Sequence, residues 1–226
     1  MEESIDIQKQ NVIGSVSTGD IYTEPESVDP NTLANLGPLR ALAGVWVNER
    51  GTDEHPVAGG NESNDYSERI ELQPIDPQTN GPQLFYGLRY YAHIVKRGEI
   101  ETFHDQVGYW LWEPATKMVI MTLAIPRAQI AMASGIAESD ATEFELHAER
   151  GSTTFGICSG PFLDRSFRTT EFSIHIRILP DGRWSYEQDT VLVIPGREPF
   201  HHRDSSLLRK IAEPNPNPLM SSDSYP

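Results

Sequence analysis

The chain of 226 residues has a single cysteine, Cys158, so no intramolecular disulfide can staple it and no Cys-x-x-Cys or Cys/His zinc spacing exists. That is compatible with a reducing, cytoplasmic setting. Basic residues are also scarce. Lys and Arg number 18 against 33 Asp and Glu, a formal net charge of −15. Such a surface repels phosphate backbones and anionic membranes, because nucleic-acid affinity rests on Lys and Arg neutralising phosphates. Nucleic-acid binding is therefore excluded as the primary role. No apolar run approaches the ~20 residues that span a bilayer. The N-terminus is acidic and lacks the apolar core of a signal peptide, so a soluble chain without a membrane partner is expected. Phosphate-binding Gly-x-x-x-x-Gly-Lys, nucleophile-elbow Gly-x-Ser-x-Gly and zinc-binding His-Glu-x-x-His patterns are all missing. Helical periodicity is nearly absent.

What remains is a succession of strand signals. Residues 1–32 read as an acidic arm, with Glu2, Glu3, Asp6, Asp20, Glu24, Glu26 and Asp29 against one Lys9. Glu213 to Pro226 is rich in Pro, Asn and Ser and reads as a loose or irregular tail. The domain between them, 33–212, opens with a short helical turn capped by Asn31 and continues in β-structure. Gly44 to Val47 begins the first strand, Gln83 to Val95 is long and aromatic, and Phe172 to Ile178 alternates with period two. Ser152 to Ile157 reads as a short strand, and Pro180-Asp181-Gly182 as a hairpin turn. The expectation is an all-β fold of about ten antiparallel strands. An up-and-down barrel removes the open edges of such a meander, with a sandwich as the alternative. Ligand-holding barrels of this kind enclose more volume than side chains fill, so a small-molecule cavity is the default site.

Imidazole is the commonest protein ligand for haem iron, which draws attention to His201 and His202 at the entrance to the final strand. The plainer reading puts both in a solvated turn. His104, on a strand with Gln106 on the same face, is a candidate ligand contact or an ordinary hydrogen-bonded histidine. Trp46 belongs to an aromatic supply that is mostly barrel packing but can line a flat ligand. Arg127 is a candidate partner for a carboxylate or propionate, or an ordinary surface arginine. Cys158, in Gly-Ile-Cys-Ser-Gly, reads as a small packing residue.

Several of these segments, in this order, resemble the nitrobindin-like haem-binding β-barrels, which are related in fold to fatty-acid-binding proteins. Leu42-Ala43-Gly44-Val45-Trp46 is similar to the family's Leu-x-Gly-x-Trp strand, and His104 to Tyr109 to its His-x-x-x-Gly-aromatic strand. Ala124 to Ile130 falls at the family's next crossing, and a histidine before Leu207-Leu208-Arg209-Lys210-Ile211 resembles its last-strand iron ligand. The resemblance covers about Leu36 to Ile211 and implies a lipocalin-like barrel binding haem b. It also implies action on nitric oxide or peroxynitrite, with peroxynitrite isomerase as the corresponding activity. His202, alternatively His201, would ligate the iron, with His104, Trp46 and Arg127 around the cofactor. Aligning the closing strands places Arg203 at the ligand position, so His202 would need a bulge or a different loop to face inward. A non-haem carrier or sensor of a lipophilic or anionic molecule is the alternative function. A homodimer is compatible with the sequence.

Overall fold

Alternation along the strands sends one face of each into a common interior. Phe172, Ile174 and Ile176 are buried, Ser173 and His175 between them are half-buried, and the flanking Glu171 and Arg177 are exposed. A computed structural model describes residues 20–220. Its strands are β1 (Gly44–Val57), β2 (Gly60–Pro74), β3 (Gln78–Asn80), β4 (Gln83–Lys96), β5 (Thr102–Glu113) and β6 (Met118–Ile125). They continue as β7 (Gln129–Ile136), β8 (Glu143–Arg150), β9 (Gly156–Ser159), β10 (Arg168–Ile178), β11 (Trp184–Val193) and β12 (Phe200–Ala212).

Neighbours in sequence pair antiparallel, and β12 returns to β1 to close the barrel. The strand β9 wedges between β7 and β8, running parallel to β8, while β2 skips β3 to pair with β4. Eleven strands thus close the wall, and β3 pairs outside it with the start of β4. The all-β barrel expectation holds.

The helix α1 (Thr32–Asn35) is capped by Asn31, whose side chain accepts from the Ala34 amide. A 3₁₀ turn over Gly37–Leu42 then drives Leu36, Leu39 and Leu42 into the core beside Trp46 and Trp112. Gly37 has φ of +54°, and a Cβ there would fall on the Trp112 indole. Glycine is required at that point.

Three features depart from the sequence reading. The first hairpin is far longer than its apolar stretch, because polar Arg50–Val57 stays paired with Gly60–Asp65 and with β12. The run 152–157 supplies a strand only from Gly156, and it is followed by an unexpected short helix α2 (Pro161–Ser166). The tail is irregular but anchored: Asn217 is buried and donates to the Pro30 carbonyl and to Asp76. Buried amide groups need partners, and these hold the segment down. Most of the proposed arm, residues 1–19, lies outside the described residues, as does 221–226.

Candidate functional site

The barrel encloses a cavity of about 420 Å³ with walls of aliphatic and aromatic side chains. Its polar end is built by β1, β2, β11 and β12. On β12, His202, Asp204, Ser206 and Leu208 share the inward face, with Leu208 fully buried. His202 therefore faces the cavity on a stretch of β12 whose register against β11 runs unbroken from Leu208 to Phe200, the strand's one irregularity lying beyond it at Ile211. Arg203, at the position the alignment favoured, is exposed on the outer face. His201 is also outside, its Nδ1 2.7 Å from Asp189. Its candidacy as a cofactor or iron ligand is corrected on that ground.

The residue that meets His202 comes from the polar half of β1. His202 Nε2 lies 2.7 Å from Asp53 Oδ1 and 3.6 Å from Asp204 Oδ1. On the other side of the same carboxylate, His55 Nδ1 is 2.5 Å from Asp53 Oδ2. Asp53 and Asp204 are direct cross-strand partners, an arrangement of like charges that is costly unless compensated. His202 compensates. Burial opposes its charge, but the Asp204 and Asp53 carboxylates outweigh burial and raise it to about 10. Asp53 is held well below the usual carboxylate range: burial works against it, and bonds from His202, Asp204 and His55 prevail. Asp204 moves up, chiefly through burial and with Asp53 adding to the rise. One acid of the pair thus ionises readily and the other resists.

Deeper in the barrel, Glu68 on β2 is buried, and its two carboxyl oxygens lie 3.0 and 3.1 Å from the Tyr186 hydroxyl. Tyr186 Oη is in turn 2.8 Å from Tyr66 Oη, which donates to the Ser205 carbonyl at 3.0 Å. Burial pushes the Glu68 carboxyl up to about 7, against the opposing Ser206 and Tyr186 hydroxyls. On β5, His104 and Gln106 share the inward face. His104 Nε2 is 3.0 Å from Gln106 Oε1, and Gln106 donates to the Tyr90 hydroxyl. Burial, with the charges of Arg127 and His202, lowers His104 and so favours its neutral ring. Arg127 stands exposed at the cavity rim and donates to the Phe103 carbonyl at 2.6 Å.

Trp46 does not line this cavity. It is fully buried, donates to the Leu42 carbonyl at 2.8 Å and meets Trp184 edge-on. Its candidacy as a cofactor contact is corrected: it is a core residue. Cys158 is exposed rather than packed inside. The sequence reading missed Asp53, Glu68, Tyr66, Tyr186 and Asp204. The Tyr66-Ser67-Glu68 alternation was a usable signal, since it puts a carboxyl on the apolar face of its strand.

The profile of the THAP4-like, heme-binding beta-barrel domain family matches residues 35–210. The chain belongs to that family. The nitrobindin-like resemblance is thereby established along nearly the whole barrel. The solved structure of Rv2717c from M. tuberculosis is similar, with a TM-score of 0.56 and 21% identity, over 82% of this chain and 100% of that one. Comparison with curated proteins yields no match.

The family description implies haem, and the donor set here tests it. Iron ligation needs a neutral imidazole with a free nitrogen lone pair. Asp53 and Asp204 favour the charged ring of His202, and its Nε2 is committed to Asp53. Asp204, which shares that ring with Asp53, and Glu68 place further acids in the same cavity. A carboxylate on one ring nitrogen is the usual backing of a metal-bound imidazole, so Nδ1 of His202 would be the nitrogen to hold iron once it gives up its proton. Among the described residues, no helix is long and apolar enough to cross a membrane.

Proposed function

We propose that this barrel binds a small organic molecule with a largely apolar body, its polar head seated at the Asp53–His202–Asp204 and Glu68–Tyr186 groups. One observation carries the reading: apolar walls converge on buried ionisable groups at one end of a cavity of about 420 Å³. Pockets that bury most of a small ligand have this composition, with a few convergent polar groups fixing orientation. Trp110 and Trp184 support the same conclusion. Both line the cavity, and among the described residues their buried indole N–H groups have no hydrogen-bond partner. A ligand or trapped water that accepts from them removes that penalty.

Haem b on His202 is the second reading, favoured by the inward-facing imidazole and the family description. It requires the Nδ1 of His202 to lose its proton, with Nε2 still bonded to Asp53. Activity towards nitric oxide or peroxynitrite depends on that haem. Haemin titration followed by absorption separates the two readings. A Soret band at stoichiometric haemin that Glu- or Ala-substitution of His202 abolishes would establish haem and overturn the first reading. Native mass spectrometry of gently purified protein should otherwise show a retained small organic molecule.

A further inference from the structure

The hydroxyl chain on Glu68 is short of protons if the carboxyl is ionised. Three O···O contacts are to be filled: Glu68 to Tyr186 (3.0 and 3.1 Å), Tyr186 to Tyr66 (2.8 Å) and Tyr66 to the Ser205 carbonyl (3.0 Å). Each needs one hydrogen, and two phenols supply two. The carbonyl of Ser205 accepts only. A chain of Glu68 O–H to Tyr186, Tyr186 O–H to Tyr66 and Tyr66 O–H to Ser205 gives every contact its own hydrogen; with Glu68 ionised, Tyr186 donates to it and the one Tyr66 hydrogen is shared between Tyr186 and Ser205. Burial raises both phenols well above their ordinary value, so neither gives up its hydrogen.

The groups around Glu68 explain what such an acid is for. Facing it are Tyr66 on its own strand, Tyr186 on β11, Asp204 and Ser206 on β12, and Tyr90 on β4. Its backbone N–H is held by Asn48 of β1. None of these is a Lys or Arg. Of the cavity's other charges, His202 is balanced by Asp53, and Arg127 lies exposed at the rim. Asp204 shares His202 with Asp53, and Glu68 is left without a counter-ion. The surrounding walls include the aromatic rings of Tyr90, Trp110, Trp184 and Tyr186. Ring faces and carboxylates together attract organic cations and disfavour anions.

We propose that Glu68 is a neutral carboxylic acid in the free barrel and ionises to receive the ammonium head of an apolar amine. The exchange balances. The carboxyl O–H bond breaks, the proton passes to solvent, and the carboxylate accepts N–H bonds from the ammonium. No electron transfer or other reactant is involved. This deepens the small-ligand reading above and rests on it.

Calorimetric titration of the full chain with octylammonium, octan-1-ol and octanoate tests it, in two buffers of different ionisation enthalpy so that protons are counted. Octylammonium should release about one proton near pH 6, and its affinity should rise about tenfold between about pH 6 and pH 8. Octan-1-ol should bind without pH dependence, and octanoate should bind most weakly. Glu68→Gln, whose amide can still donate to Tyr186, should lose both the pH slope and the preference for ammonium over alcohol. Infrared difference spectra between the same pH values should show a protonated-carboxyl band in the wild type that Glu68→Gln lacks. If Glu68→Gln does not fold, the wild-type proton count still decides. Octan-1-ol binding with no preference for ammonium, or ammonium binding with no proton released, overturns this inference and leaves the ligand-binding barrel standing. Failure of all three probes and of haemin to bind overturns both.

Discussion

His202 Nε2 and Asp53 Oδ1 meet at 2.7 Å across 149 residues of sequence, joining the last strand of the barrel to the first. Asp53→Asn removes the shorter of the two carboxylate contacts on the imidazole. His202 should then titrate well below about 10, read from its ring-proton NMR shifts. Stability should drop by about 1–3 kcal/mol, the usual cost of breaking a buried charge-assisted bond. Unchanged titration would assign the positive charge to Asp204 alone.

Stability should fall with rising pH through two groups that titrate in successive windows. His202 has a folded value of about 10 against a model value of 6.5, so its contribution is complete below about pH 6.5 and is lost as pH rises through 10. Glu68 is raised from 4.5 to about 7, which makes the folded state the better proton binder between those values. Stability should therefore fall as pH rises across that window, by on the order of 3 kcal/mol from Glu68, and continue to fall above it through His202. Asp204 adds in the same direction. Chemical denaturation from about pH 4.5 to pH 7 should show the decline in the wild type and a smaller one in Glu68→Gln. Equal slopes would locate the ionising group elsewhere.

Trp46→Ala should cost about 3–5 kcal/mol in urea unfolding, because a fully buried indole and its bond to the Leu42 carbonyl are lost together. Trp46→Phe should cost less, since most of the apolar contact stays.

Gly108→Ala should destabilise the barrel more than a surface glycine substitution such as Gly59→Ala. A Cβ at 108 would lie 1.8 Å from the Thr122 carbonyl oxygen, whereas one at 59 meets nothing within 4 Å. Strands β5 and β6 would have to separate, at a cost of about 1–3 kcal/mol or more. The midpoint of denaturant unfolding measures the difference.

Period-two alternation from Phe172 to Ile178 and the Pro180-Asp181-Gly182 turn were legible because strand faces and tight turns are set within a few residues. Ordered motifs such as Gly44-Val45-Trp46 and His104 to Tyr109 were enough to indicate the family. The candidate site was only half legible. His202 and His104 stand out by residue type, but Asp53 sits in a polar run that reads as a loop. It becomes strand only because β12 and β2 pair with it on either side. Barrel closure alone opposes Asp53 to Asp204, and the β11–β12 register alone decides that His202 faces inward while His201 and Arg203 face out. Local periodicity determined the strands, since backbone geometry fixes which side chains share a face. The charges that surround His202 and Glu68 were decided by strands distant in sequence, because electrostatic fields and buried hydrogen bonds depend on neighbours in space.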